Sequence, residues 1–180
     1  MPSVIYALLA CGERILADHT NPRFTGDFRA TAVKLLSKAQ RSSDKEVTFN
    51  LQGHVFSFSA KGADMWYCAM SDEAYGKQMP FFFINDVAEA FTKQFEDPAS
   101  LSDSIVKAQF GAKLSAKVEQ YSNPDDSDKV ARAQTSLDEL RVVLTDNVEL
   151  AVKRNTDLNA IADTASTFSI KSATLCLVHD

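Results

Sequence analysis

The sequence predicts an α+β domain, with elements in the order ββαβββαα, followed by one long separate helix. Two observations carry this. Up to about residue 120, short β-rich runs bounded by turn residues alternate with stretches of helical periodicity. Beyond the breaker-rich Asn123-Pro124-Asp125-Asp126-Ser127-Asp128, no Gly or Pro occurs as far as Asp180, and an apolar heptad takes over.

Taken in order, Val4 to Leu9 and Arg14 to His19 read as two strands around a Cys11-Gly12-Glu13 turn. Gly26-Asp27 then opens a helix running through Ala39, with Phe28, Ala32, Leu35, Leu36 and Ala39 recurring on one face. Val47 to Leu51, Val55 to Ala60 and Met65 to Met70 form a meander divided at Gln52-Gly53 and Lys61-Gly62. Phe81 to Phe95 sets Phe83, Val87, Ala90, Phe91 and Gln94 at helical intervals, and Leu101 to Gln120 supports a third helix. The domain boundaries that follow are residues 1–121 for the folded head, 122–128 for a linker and 129–180 for the long helix.

Composition narrows the function. At 180 residues the chain accommodates one domain with a core plus an extended element, and 45% hydrophobic with 24% charged residues is ordinary for a folded protein. Nineteen basic against twenty-four acidic residues give a formal charge of −5 without a phosphate-neutralising stripe, so nucleic acid is not an expected partner. Cys11, Cys68 and Cys176 are odd in number and widely spaced, which suggests reduced thiols rather than disulfides or a zinc site. The apolar run from Val4 to Ala10 is too short and lacks the basic leader of a signal peptide. No stretch approaches the roughly 20 apolar residues of a membrane span.

No chemistry-bearing constellation stands out. His19, His54 and His179 are scattered singly, and Gly76-Lys77 lacks both the upstream glycine and the following Ser or Thr of a phosphate loop. No catalytic, cofactor-binding or metal residues are therefore predicted. Phe81-Phe82-Phe83 reads first as core packing and second as part of a groove.

The heptad is the informative feature. Stepping alternately by three and four residues from Val130 gives Ala133, Leu137, Leu140, Leu144, Asn147, Ala151, Arg154, Leu158, Ile161, Ala165, Phe168, Ser172 and Leu175. Eleven of these fourteen positions are apolar, and the positions between them carry charges such as Asp138, Glu139, Lys153 and Asp157. A helix with so narrow a stripe buries it only against other helices or against its own domain. Arg154 lies on the stripe itself. An unpaired buried guanidinium costs several kcal/mol, so this position demands partner helices with acceptors at the same level.

Two resemblances follow from these residues. The Ile5-Tyr6-Ala7 strand, the Gly26-Asp27-Phe28 helix entry, the Trp66-Tyr67-Cys68 strand and the Pro80-Phe81-Phe82-Phe83-Ile84 helix start resemble the profilin-like longin domain over about residues 3–120. That family implies a five-stranded antiparallel sheet with helices on both faces. The stretch from Gln134 to Leu140, with Asn147-Val148-Glu149-Leu150 and Lys153-Arg154, looks like an R-SNARE motif of the synaptobrevin class. By that resemblance, Arg154 is the central ionic-layer arginine, and the partners are three Q-SNARE helices in a parallel four-helix bundle. The family implies vesicle docking and membrane fusion on the cytoplasmic face of vesicle, endosomal, lysosomal or vacuolar membranes. Its longin head folds back on the SNARE helix and contacts coats, adaptors or exchange factors, and no cofactor is used.

Departures from the pattern keep alternatives open. The repeat weakens after Phe168, with Ser172 on the seam and His179 where an apolar residue is expected, and the chain stops before any C-terminal anchor. Either it is a truncated product, or it is a soluble decoy that occupies Q-SNAREs without driving fusion. A third reading is a soluble longin-domain regulator whose C-terminal helix serves only to bind its own head or an adaptor. Lipidation of Cys176 would require a following membrane segment.

Overall fold

A computed structural model describes residues 3–62 and 64–123, together with the backbone of residues 145–147. Strands β1 (Val4–Cys11) and β2 (Arg14–Thr20) form a hairpin closed at Gly12 and Glu13. Helix α1 (Phe28–Arg41) leads to the meander β3 (Glu46–Leu51), β4 (His54–Ala60) and β5 (Met65–Asp72). Helices α2 (Met79–Gln94) and α3 (Asp103–Ser122) complete the domain, and β6 (Thr145–Asn147) adds a short strand. The order ββαβββαα and the five-stranded antiparallel sheet predicted above are both present.

The sheet runs β2-β1-β5-β4-β3-β6, antiparallel throughout its first five strands, with β6 parallel to β3. Bringing β5 beside β1 puts the most apolar strands in the centre. Both are buried along almost their whole length, so each alternate set of side chains meets a helical layer.

One set, including Tyr6, Leu8, Phe56, Phe58, Cys68 and Met70, packs under α1 through Phe28, Ala32, Leu35, Leu36 and Ala39, the face the periodicity marked. The other set, including Ala7, Leu9, Tyr67 and Ala69, packs under α2 and α3. There Phe91 meets Phe110 edge to face at 5.2 Å, and Phe83 meets Tyr121 at 5.4 Å, geometries that suit aromatic quadrupoles. Phe81, Phe82 and Phe83 are all buried in this layer, so they are core. Gln94, placed by periodicity on the apolar face of α2, is exposed, and Ala88 is buried.

Helix starts follow local chemistry. The Asp27 side chain accepts from the Ala30 amide at 3.3 Å, and the Ser102 hydroxyl accepts from the Ile105 amide at 3.4 Å. Pro80 occupies the first turn of α2, where its missing N–H is no loss. Helix α3 starts two residues later than predicted and ends two residues further on, at Ser122. The sequence assigned Ser122 to the linker, yet it is 2% exposed and held by long-range bonds. Its hydroxyl lies 2.6 Å from the Val118 carbonyl and 3.1 Å from the Val4 carbonyl, and it accepts from the Asn21 side-chain amide at 3.2 Å. Tyr75 donates to the Tyr121 carbonyl at 2.6 Å beside it. These bonds weld the exit of the head to the first strand.

Candidate interaction surfaces

The five-stranded antiparallel part of the sheet ends in β3 on one side and β2 on the other. At one end, β3 accepts β6 in parallel register, with Thr48 opposite Thr145, Phe49 opposite Asp146 and Asn50 opposite Asn147. The β3 side chains Val47, Phe49 and Leu51 point into the α1 layer, and Phe49 meets Phe58 edge to face at 5.8 Å. β3 is thus anchored to the core on one face, and its outer backbone row pairs with residues from the C-terminal segment.

That pairing bears directly on the predicted helix. Asn147 is a position of the heptad seam, and the backbone here is extended at that residue. Thr145, Asp146 and Asn147 are three consecutive poor helix formers in a segment otherwise rich in good ones. This local dip marks a weak point in the helical pattern, but Asp146 and Asn147 are poor strand formers as well, so the local sequence does not announce the strand. The other predicted seam residues, Val130, Ala133, Leu137, Leu140, Leu144, Ala151, Arg154, Leu158, Ile161, Ala165, Phe168 and Leu175, lie outside the described residues, as does Cys176.

At the opposite end, β2 is the outermost strand. Asp18 is the hub here, accepting from the Tyr6 phenol at 2.9 Å and from the Arg29 guanidinium at 3.1 Å. Burial, reinforced by the Asp18 carboxylate, pushes the Tyr6 phenol far above its ordinary range, so it serves as a permanent donor. Burial also lowers the His19 pKa, with neighbouring Asp18 opposing that shift. Arg14 reaches across to the α2–α3 connection, donating to the Leu101 carbonyl at 2.7 Å and pairing with Asp103 at 3.4 Å.

Nothing in these environments activates a nucleophile. Burial drives the Cys68 thiol well above its usual range and keeps it protonated under α1, where it packs as a small apolar group. Among the described residues, no group of three or more His, Cys, Asp or Glu side chains is placed to hold a metal ion. No described helix is long and apolar enough to cross a membrane.

A β-sheet with helices on both faces, ordered ββαβββαα and offering its edge to a C-terminal heptad segment, defines a longin-type head. The chain belongs to the longin family: the family model, a regulated-SNARE-like domain, matches residues 16–114, more than half of the chain. This is a family of SNARE trafficking proteins rather than of enzymes. The chain is also similar to vesicle-associated membrane proteins 725, 722 and 721 of Arabidopsis thaliana, each 29% identical over 165 residues and each matching 89% of this chain. It spans 56% of the length of the first of these relatives, 72% of the second and 73% of the third.

Proposed function

We propose that this chain is an R-SNARE of vesicle traffic whose longin head restrains its own SNARE segment. In this reading residues 129–180 form a helix that joins three Q-SNARE helices in a parallel bundle, with Arg154 at the central ionic layer. The reading rests on the seam arginine and on similarity to vesicle-associated membrane proteins. Membrane attachment would come through a C-terminal anchor beyond Asp180. The compartments proposed are endosomal, lysosomal or vacuolar.

The observation that carries the restraint is the pairing of Thr145–Asn147 with β3. A residue in a parallel ladder has extended dihedrals, and a residue in a coiled coil has helical ones, so Asn147 cannot serve both states. Each ladder bond contributes about 0.5–1.5 kcal/mol net, so a three-residue strand is a latch of a few kcal/mol. That suffices to bias a free chain, and a full bundle core overcomes it.

The same pairing also favours a second reading, in which the C-terminal segment serves only to regulate its own head. Mixing the full chain with three Q-SNARE helices separates the two. An R-SNARE gains helicity by far-ultraviolet circular dichroism and yields a heat-resistant complex. A regulator does neither.

A further inference from the structure

The free edge of β2 points to a second docking site, at the end of the sheet opposite β3 and independent of the R-SNARE reading. The backbone register shows which groups it offers. The Asn21 amide bonds the Ile5 carbonyl at 2.8 Å, one residue beyond the Tyr6–Thr20 pair on each strand. Tyr6–Thr20 is thus a non-hydrogen-bonded pair of the antiparallel ladder, and so, two residues along, is Leu8–Asp18. The amides and carbonyls of Asp18 and Thr20 therefore face away from β1, toward the open edge.

Two concavities flank this edge. One, of about 190 Å³, lies among Ile15 to Asp18, Arg29 and the first turns of α3 at Asp103, Ser104 and Lys107. The other, of about 210 Å³, lies where β2 ends, between His19, Arg23 and the α3 residues Ser115, Val118 and Glu119. An edge strand with a helix running beside it and hollows on its flanks is the geometry in which an extended peptide adds a strand, its alternate side chains entering the hollows.

Charge selects the occupant. Asp18 is already bonded by Tyr6 and Arg29, and Asp103 by Arg14. Lys107 and Arg23 are exposed, one at each hollow, and neither joins an ion pair among the described residues. Glu119 is the one lining acid not so engaged, and it lies at the Arg23 end. We propose that β2 binds an extended segment of a partner protein, β-branched in its middle and carrying carboxylates toward Lys107 and Arg23. Its backbone pairs with Asp18 and Thr20, and its carboxylates set orientation and rate of encounter.

The test uses the full chain, isotope-labelled and screened against a displayed library of random heptapeptides. Enrichment of peptides with β-branched centres and acidic ends is expected, together with shifts of the Asp18 and Thr20 amide resonances when one such synthetic peptide is added. The double variant R23E/K107E, whose substitutions lie on the surface, should weaken that peptide's affinity about tenfold or more at low salt while leaving the thermal transition in place. The proposal fails if no peptide is enriched, if the shifts fall on β3 instead, or if the double variant binds equally well. Concentration-dependent self-association through β2 without peptide would also overturn it.

Discussion

At the scale of single residues, the entry to α1 shows how a three-residue motif works. Gly26 sits at φ +157, and a Cβ built there would lie 2.9 Å from the Phe28 ring, which itself anchors α1 against the sheet. The turn is thus closed by an aromatic ring lying where a side chain would be. Gly26→Ala should lower stability by about 1–3 kcal/mol in urea denaturation, from backbone strain plus the clash. Gly12→Ala, at φ +58 with open space around it, should cost only about 1 kcal/mol. His19 carries a pH dependence whose sign follows from its depressed pKa. The folded protein binds fewer protons at this site than the unfolded chain, whose imidazole titrates near the ordinary value of about 6.5. His19 therefore contributes fully above that value, and its contribution is lost as the pH falls below it toward the folded pKa. The urea midpoint should drop between pH 7.5 and pH 5, and His19→Gln should flatten part of that drop. An equal drop in the variant would assign the dependence to other groups. On the C-terminal segment, Arg154→Ala should leave the unfolding transition of the head unchanged and alter the register or disassembly of a complex with Q-SNARE helices. Unchanged behaviour of the complex would count against a buried guanidinium.

At the scale of elements, strands and helices were legible wherever a local pattern and the tertiary environment agreed. The α1 face from Phe28 to Ala39 and the Gln52-Gly53 turn both follow from spacing and turn chemistry within a few residues. The end of α3 was not legible, because what extends it to Ser122 is a bond network reaching Val4 and Asn21, more than a hundred residues away in sequence. No window on the chain contains both partners. Ser122→Ala removes the hydroxyl that accepts from Asn21, itself 4% exposed, and strips one partner from that buried amide. The cost should be about 1–3 kcal/mol by thermal or urea denaturation. Hydrogen exchange should speed up first in the last turn of α3 and the start of β1. Strand β6 was hidden for another reason. A heptad count weighs side-chain spacing and ignores backbone preference, and here three residues in a row, Thr145 and Asp146 between seam positions and Asn147 on the seam, disfavour helix.

At the scale of the whole molecule, the proposed function makes the head and the C-terminal segment compete for one stretch of backbone. Thr145, Asp146 and Asn147 complete the sheet at β3, and the proposed bundle needs the same residues helical. Strand and helix states are then in equilibrium, and their balance depends on intrinsic propensity as well as on contacts. Replacing all three residues by alanine lowers the cost of helix by about 0.5–0.7 kcal/mol per position, and at Thr145 it also removes a β-branched side chain suited to a strand. The sum is roughly 2 kcal/mol in favour of helix, which by itself moves the equilibrium by more than an order of magnitude. If opening of the β3–β6 pair limits assembly, the triple variant should join Q-SNARE helices about tenfold faster in stopped-flow fluorescence, and protection of the outer β3 amides should fall in parallel. The loss of Asn147 from the seam changes the finished bundle too, so rate and final stability must be measured separately. A faster rate with unchanged or lower final stability marks a released latch. Unchanged rates together with lost β3 protection would mean that the head gives way before the limiting step, and the restraint would then lie elsewhere in the chain.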